Sequence, residues 1–196
     1  SHMSGDIEEY IKYYDLQNPI LLGHSLGGKV AMHLCFRNPK LYSKLIVVDI
    51  APKKYSIDFH KNILEVLTNL SLQDYSNRAE IDNVLSVEIN DFAIRQFLMK
   101  NLYRDEKKEF KWRFNILTLK EKLDNISEID FSNNQIDIPT LFLKGELSNY
   151  IVDDDKQIIS SFFSNNQIKS IANSGHWVHA EQTELFYKNV MDFIAQ

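Results

Sequence analysis

Cysteine, long apolar runs and excess positive charge are all scarce in this chain of 196 residues. A single cysteine, Cys35, excludes a disulfide within the chain and fits a reducing cytoplasm, where we expect the protein to act. The longest apolar runs, such as residues 45–48, have only strand length, so no membrane span is predicted, and no signal peptide is recognisable. The net charge of −5 disfavours nucleic acid or an anionic membrane as the main partner.

The most informative segment is a glycine-rich turn, residues 23–28, with a serine near its centre. The apolar residues 20–22 before it predict a strand, and the residues after it predict a helix. A Gly-x-Ser-x-Gly turn between strand and helix lifts its serine, here Ser25, off the sheet as a nucleophile. We expect Gly23 and Gly27 to flank Ser25 because side chains there would collide across the turn. The alternative is a glycine-rich turn that holds an ordinary serine.

A nucleophilic serine needs a general base, and His176 has the strongest case among the histidines. It follows the last predicted strand, residues 167–171, and a late loop of this kind delivers the histidine to such a serine turn. The alternative is a structural loop histidine. His24 lies inside the turn itself, and we expect its side chain to pack beneath that turn.

The acid that would orient His176 has more than one candidate. For a serine turn of this kind, the acid most commonly lies in the loop after the predicted strand that ends at Gly145. In this chain Ser148 stands where that aspartate is usual. Asp49, at the tip of the preceding strand, can reach the imidazole from the same sheet edge, and we favour it. Glu146 and Asp153 remain alternatives, although Asp153 lies in the first turns of a helix predicted over residues 151–163, where acidic residues are stabilising in any case.

Two kinds of pattern divide the chain. Residues 4–52 and 131–196 alternate strand-like and helical patterns, which predicts an α/β core with a mostly parallel sheet. Residues 53–130 have helical spacing and no clear strand, which predicts a helical insertion whose charged segment 104–109 is a solvated turn. The helical runs of this insertion are residues 63–70, 84–100 and 116–123.

Several stretches together resemble the α/β-hydrolase superfamily, and more narrowly the small bacterial YbfF-type esterases and thioesterases. These stretches are residues 22–29, 47–52, 97–102, 112–115 and 174–179. The resemblance implies an α/β-hydrolase fold and hydrolysis of carboxylic ester or acyl thioester bonds through an acyl-enzyme on Ser25, without metal or cofactor. It also implies Asp49 as the triad acid, because these relatives carry the acid at the matching position and a serine in the loop matching residues 145–150.

The resemblance further implies that the helical insertion forms a cap over an acyl pocket. We expect His24, Phe97, Trp112 and Trp177 to contribute to the substrate pocket, and the binding partner to be a small-molecule acyl ester or thioester. The alternative for the apolar residues of the insertion is that they pack the cap helices against one another.

One departure from the superfamily affects both fold and function. Its members carry further strands before the serine turn, and one loop among them supplies an oxyanion-hole donor. This chain has only a helix there, so we expect an α/β-hydrolase fold that lacks the N-terminal strands and retains the N–H of Leu26 as donor. An open sheet edge at residues 20–22 would favour self-association. The alternative function is a catalytically weak or inert hydrolase fold acting as a binding module.

Overall fold

The computed structural model describes residues 2–127 and 135–196, in two compact units. Residues 2–54 and 135–196 form the first unit, and residues 55–127 form the second. The predicted domain boundary between residues 130 and 131 lies outside the described residues. Within the described ranges, no helix combines the length and the apolar character needed to cross a bilayer.

The first unit alternates helices and strands. Its helices are α1 (His2–Tyr13), α2 (Leu26–Arg37), α7 (Asp155–Phe162), α8 (Val178–Glu181) and α9 (Thr183–Ile194). Its strands are β1 (Ile20–His24), β2 (Lys44–Val48), β5 (Thr140–Gly145) and β6 (Asn166–Ile171). The strands are parallel and lie in the order β1–β2–β5–β6, which confirms the predicted α/β class with a parallel sheet. Among the described strands, β1 pairs only with β2 and so occupies one edge.

The central strands are buried on both faces, as their continuous apolar sequences predict. One face packs against α8 and α9 through a cluster that includes Ile46, Leu143, Val178 and Phe193. On the other side, the ring of Phe163 lies 5.3 Å from that of Phe142 on β5 and 5.4 Å from that of Phe36 on α2. Burial of these apolar faces is what fixes the strand ends that carry the candidate site.

The helix predicted over residues 151–163 begins only at Asp155. The carboxylate of Asp155 is buried, accepts a hydrogen bond from the N–H of Val152 at 2.9 Å, and pairs with Lys53 Nζ at 2.7 Å. These contacts hold the residues before Asp155 in a turn, because a carboxylate that bonds a preceding N–H favours a turn over a continuing helix.

The second unit contains α3 (Asp58–Asn69), α4 (Arg78–Glu88), α5 (Phe92–Lys100) and α6 (Ile116–Ser127). The prediction of one helical run over residues 84–100 is wrong, because α4 and α5 are separate helices. Asp91 caps the start of α5, where its Oδ1 accepts a hydrogen bond from the N–H of Ile94 at 3.1 Å. Such a capping aspartate starts a new helix, and apolar periodicity alone did not reveal the break.

The second unit also contains a β-hairpin, so the prediction that this region has no strand is wrong. Its strands are β3 (Leu102–Arg104) and β4 (Phe110–Trp112), paired antiparallel. The charged segment 104–109 includes the hairpin turn, in which Asp105 Oδ1 accepts hydrogen bonds from the N–H groups of Lys107 and Glu109, both at 3.0 Å. Strands of three residues are too short to give a period-two signal in the sequence.

Candidate active site

Ser25 lies between the last residue of β1 and the first residue of α2, with φ of 52° and ψ of −118°. Such a conformation costs a non-glycine residue about 1–3 kcal/mol, so the surrounding structure must hold it. Ser25 N–H donates to Val48 O at 2.9 Å, and Ser25 O accepts from Lys29 N–H at 3.1 Å. The hydroxyl makes no capping hydrogen bond to α2, although serine commonly does so at this position. The turn therefore presents the hydroxyl without engaging it in the helix.

The glycines of the turn have unequal roles. A Cβ on Gly23 would lie 2.2 Å from Gly27 O, and one on Gly28 would lie 2.7 Å from Cγ2 of Ile50. A Cβ on Gly27 would meet nothing within 4 Å. The expected collision at Gly23 is therefore confirmed, whereas the one expected at Gly27 is wrong, because it is the main chain of Gly27 that approaches Gly23.

Asp49 stands in the matching position one strand further along the sheet. It follows directly after β2, has φ of 51°, and donates its N–H to Leu143 O at 2.8 Å. Because β1 and β2 are parallel with His24 opposite Val48, Ser25 and Asp49 both follow the carboxyl ends of their strands, at the same end of the sheet.

The carboxylate of Asp49 is fully buried and accepts three hydrogen bonds. Oδ1 accepts from Gly145 N–H at 3.0 Å, and Oδ2 accepts from the Ser148 hydroxyl and from His176 Nδ1, the latter at 2.8 Å. A buried carboxylate is costly unless donors surround it, and here main chain, hydroxyl and imidazole all contribute.

The contact with Asp49 determines the tautomer of His176. An ionised carboxylate can only accept, so Nδ1 carries the proton and Nε2 of the neutral ring is an acceptor. The side chain of His176 is 20% exposed, so it is not sealed in the core. An imidazole in this state can accept a proton at Nε2 while the carboxylate stabilises the resulting positive charge.

The other two candidate acids have different partners. Glu146 Oε2 accepts a hydrogen bond from Asn173 N–H at 2.9 Å, so it contacts the main chain of the loop that carries His176. Asp153 is exposed and pairs with Lys156 Nζ at 2.7 Å. Of the three predicted acids, Asp49 is the one bonded to the imidazole of His176, and its catalytic role stays a prediction.

The loop carrying His176, residues 172–177, is seated against the end of β5. A Cβ on Gly145 would lie 2.0 Å from Gly175 O, so only glycine lets the two chain segments approach this closely. The N–H of Leu147 donates to Ser174 O at 2.9 Å across the same approach. These contacts place His176 near the end of β5, the strand that also supplies a donor to Asp49.

Two side chains that the sequence interpretation missed contact this loop. The ring of Tyr150 stacks on that of His176, with centroids 3.9 Å apart and planes inclined by 19°. Burial, with a smaller contribution from the charge of Asp49, raises the pKa of Tyr150. Glu181 accepts from the N–H groups of Gly175 and Trp177 at 2.7 and 3.1 Å. The stacking of Tyr150 on His176 has no sequence signal, because it depends on how distant segments meet, whereas Glu181 lies only six and four positions from its two partners.

The predicted pocket residues lie in both units. In the first, His24 Nε2 lies 2.8 Å from His176 O, and the rings of His24 and Trp177 have centroids 5.4 Å apart. In the second, Phe97 is exposed on α5, and Trp112 on β4 stacks on Phe114 with centroids 5.8 Å apart. Their contribution to a substrate pocket stays a prediction.

Other reactive side chains fit a nucleophilic role poorly. Cys35 is buried on α2, and burial raises the pKa of its thiol to about 12, so the thiolate is scarce at neutral pH. In the part of the chain that the structure describes, no three His, Cys, Asp or Glu side chains come together as a metal site would require.

Two known proteins have sequences similar to nearly the whole of this chain. The chain is 34% identical over 192 residues to a protein of Haemophilus influenzae assigned as an esterase/lipase, covering 98% of this chain and 66% of that protein. It is 27% identical over 192 residues to the esterase YbfF of Escherichia coli, covering 98% of this chain and 73% of YbfF. The predicted resemblance to YbfF is thereby confirmed. The chain thus spans just under two thirds of the length of the Haemophilus relative.

A solved structure and a family profile agree with these relatives. The structure of a marine microorganism esterase superposes with a TM-score of 0.93 and 36% identity, covering 98% of this chain and 76% of that one. The profile of the alpha/beta hydrolase fold matches residues 2–183, which include the serine turn and the loop carrying His176. The chain therefore belongs to the alpha/beta hydrolase fold family.

Proposed function

We propose that this protein hydrolyses carboxylic esters through an acyl-enzyme formed on Ser25, with His176 as general base and Asp49 as the acid that orients it. The observation that carries the proposal is the hydrogen bond between Asp49 Oδ2 and His176 Nδ1. It lies at the carboxyl ends of the strands, where Ser25 stands in its constrained turn. Two relatives assigned as esterases support ester hydrolysis as the reaction class.

In the proposed mechanism, Ser25 Oγ attacks the acyl carbon while His176 Nε2 takes the hydroxyl proton. The N–H of Leu26, the first residue of α2, donates to the developing oxyanion, since N–H groups in the first turn of a helix have no intrahelical partner. Protonated His176, stabilised by Asp49, then gives its proton to the leaving alcohol. Water activated by His176 hydrolyses the acyl-enzyme, which restores Ser25 and releases the acid.

The same steps would cleave an acyl thioester, with a thiol in place of the alcohol as leaving group. The geometry at Ser25, Asp49 and His176 serves both reactions, because in each the oxyanion and the proton transfers involve the same atoms. Ester cleavage is the reaction we propose, because YbfF and the marine microorganism protein are assigned as esterases. Thioester cleavage is the comparison that the assay must include.

The proposal is tested by reaction with a fluorophosphonate and by hydrolysis of a series of acyl nitrophenyl esters and acyl-CoA thioesters. We expect the probe to modify the tryptic peptide that contains Ser25, and the Ser25→Ala variant to remain unmodified. We also expect ester hydrolysis that disappears in the same variant. A folded chain that neither reacts with the probe nor hydrolyses any ester would contradict the proposal and favour an inert fold that serves as a binding module.

A further inference from the structure

His24 is the last residue of β1 and makes a hydrogen bond to the loop that carries His176. Its Nε2 lies 2.8 Å from the main-chain oxygen of His176, a residue 152 positions away in the chain. Burial is the largest of the effects that lower the pKa of His24 to about 4, so the ring is neutral at pH 7. A carbonyl oxygen can only accept, and therefore Nε2 of His24 carries the hydrogen and donates it.

The ring of His24 also packs against side chains of this loop and of α8, the helix that follows it. Its centroid lies 4.6 Å from that of His176, 5.4 Å from that of Trp177 and 4.9 Å from that of His179. One side chain of β1 thus contacts three residues of a segment that the chain reaches only after β6. This packing restricts where the His176 ring can lie.

Other hydrogen bonds hold further main-chain groups of this loop. Glu181 accepts from the N–H groups of Gly175 and Trp177, and Glu146 accepts from Asn173 N–H. The bond from His24 differs from these because it begins at the residue that precedes Ser25 in the chain. It therefore links β1, the strand directly before the candidate nucleophile Ser25, to the main chain of the candidate base His176.

We infer that His24 is a positioning residue, which fixes the distance between Ser25 and His176 through its hydrogen bond to the main chain of His176. The catalytic consequence of this inference rests on the proposed function, whereas its structural consequence does not. With the bond in place, the imidazole of His176 stays against Asp49 and keeps Nε2 directed away from that carboxylate. Without it, the loop gains freedom and the fraction of molecules with a productive base falls.

Two amide variants that differ by one methylene group test the inference. In His24→Gln the amide nitrogen reaches about as far as Nε2 of histidine, whereas in His24→Asn it falls short of His176 O. We expect His24→Asn to lower kcat about tenfold with KM changed less than about twofold, and His24→Gln to recover most of the loss. His33→Leu is the control. His33 lies on α2, its Nδ1 is 3.0 Å from the hydroxyl of Ser4 on α1, and this variant should leave kcat unchanged.

A second measurement does not depend on turnover. The Nδ1–H proton of His176 should give a protected signal in the proton–nitrogen NMR spectrum of the unsubstituted chain, because Asp49 accepts that proton. We expect the signal to persist in His24→Gln and to be lost by exchange with water in His24→Asn. Unfolding midpoints of all variants, measured in parallel, separate this effect from general loss of structure.

The outcomes distinguish the inference from the proposed function. If the chain hydrolyses no ester but the His176 signal is lost only in His24→Asn, the proposed function fails and the positioning role stands. If His24→Asn retains both kcat and the protected signal, or lowers kcat without affecting the signal, the positioning role is overturned. Absence of the signal from the unsubstituted chain would overturn it as well.

Discussion

The hydroxyl of Ser148 donates a hydrogen bond to Oδ2 of Asp49, the carboxylate oxygen that also accepts from His176 Nδ1. Ser148 is buried, and its Oγ accepts in turn from the N–H of Tyr150 at 3.2 Å. A serine therefore fills the position after β5 where many hydrolases of this fold have their acid, and here it supplies a donor to an acid on the neighbouring strand. Ser148 thus adds a second donor to the oxygen that already accepts from His176, and this donor helps to compensate for the burial of the charge of Asp49.

We expect Ser148→Ala to lower kcat about tenfold, because hydrogen bonds to charged groups contribute about 1.5–3 kcal/mol and part of that loss reaches the orientation of His176. KM should change little. Steady-state kinetics on a short-chain nitrophenyl ester would measure both constants. Asn149→Ala, at the exposed neighbouring position, is the control. A Ser148→Ala variant with full kcat would mean that Gly145 N–H and His176 suffice to hold Asp49.

We expect Asp49→Asn to lower kcat by about 10³–10⁴, because an amide in place of the carboxylate favours the wrong tautomer of His176. Glu146→Gln is the matched control, since a glutamine oxygen can still accept from Asn173 N–H and this variant should keep kcat within about threefold. The fold of both variants is checked by circular dichroism. Near-normal turnover in Asp49→Asn together with loss of turnover in Glu146→Gln would transfer the role of acid to Glu146.

The serine turn makes a paired prediction about stability. Gly23→Ala should destabilise the protein by about 2–4 kcal/mol, because the new Cβ meets the main chain of Gly27, which cannot move aside cheaply. Gly27→Ala should be neutral or stabilise by up to about 1 kcal/mol, because its Cβ has open space and α2 favours alanine over glycine. Urea unfolding monitored by circular dichroism measures both. Equal destabilisation by the two variants would contradict the structure of the turn.

Burial makes His24 a source of acid sensitivity. The pKa of His24 is lowered from its ordinary value of 6.5 to about 4, by burial first and also by the neighbouring His176 and His179, while the bond to His176 O and the charge of Asp49 oppose the shift. The unfolded chain thus binds a proton at a higher pH than the folded chain does. Above about pH 6.5 the protonation of His24 does not reduce the free energy of unfolding, and its contribution should lower that free energy as the pH drops from about 6.5 towards 4.

Unfolding midpoints in urea at several pH values would measure this loss. Because glutamine does not titrate, His24→Gln should have a shallower decline than the unsubstituted chain over the same interval, and the difference isolates His24 from the other titrating groups. Identical pH profiles for the two proteins would contradict the lowered pKa of His24.

We propose that the chain self-associates through the edge of its sheet. β1 pairs only with β2 among the described strands, and Leu22 on β1 is 49% exposed. Unpaired N–H and C=O groups along such a strand favour pairing with another chain, and a charged side chain on the strand opposes it. Light scattering at micromolar concentration should therefore give a mass above 22.9 kDa, and Leu22→Lys should lower that mass.

Leu117→Lys, which places the same charge at an exposed leucine on α6, is the control for this prediction and should leave the mass unchanged. A mass of 22.9 kDa under the same conditions would contradict self-association through β1.

The sequence by itself determined the α/β class and the strand–turn–helix that carries Ser25. These features are local: the apolar runs of β1 and β2 specify buried strands, and Gly23 specifies a turn that no other residue can form. The loop position of His176 after β6 was equally readable. Local pattern failed where short-range devices outweighed periodicity, at the cap of Asp91 that separates α4 from α5 and in the three-residue strands of the hairpin.

Only the tertiary structure decided which of the candidate acids bonds to His176 and what holds the loop of His176 in place. The sequence favoured Asp49 but left Glu146 and Asp153 as alternatives. In the structure, the parallel pairing of β2 with β5 puts Asp49 beside Gly145 N–H, while Glu146 bonds the loop main chain instead. The bond from His24 to His176 O has no sequence signal at all. Contacts between residues more than a hundred positions apart depend on strand order and register, which are set by burial across the whole sheet rather than by any local pattern.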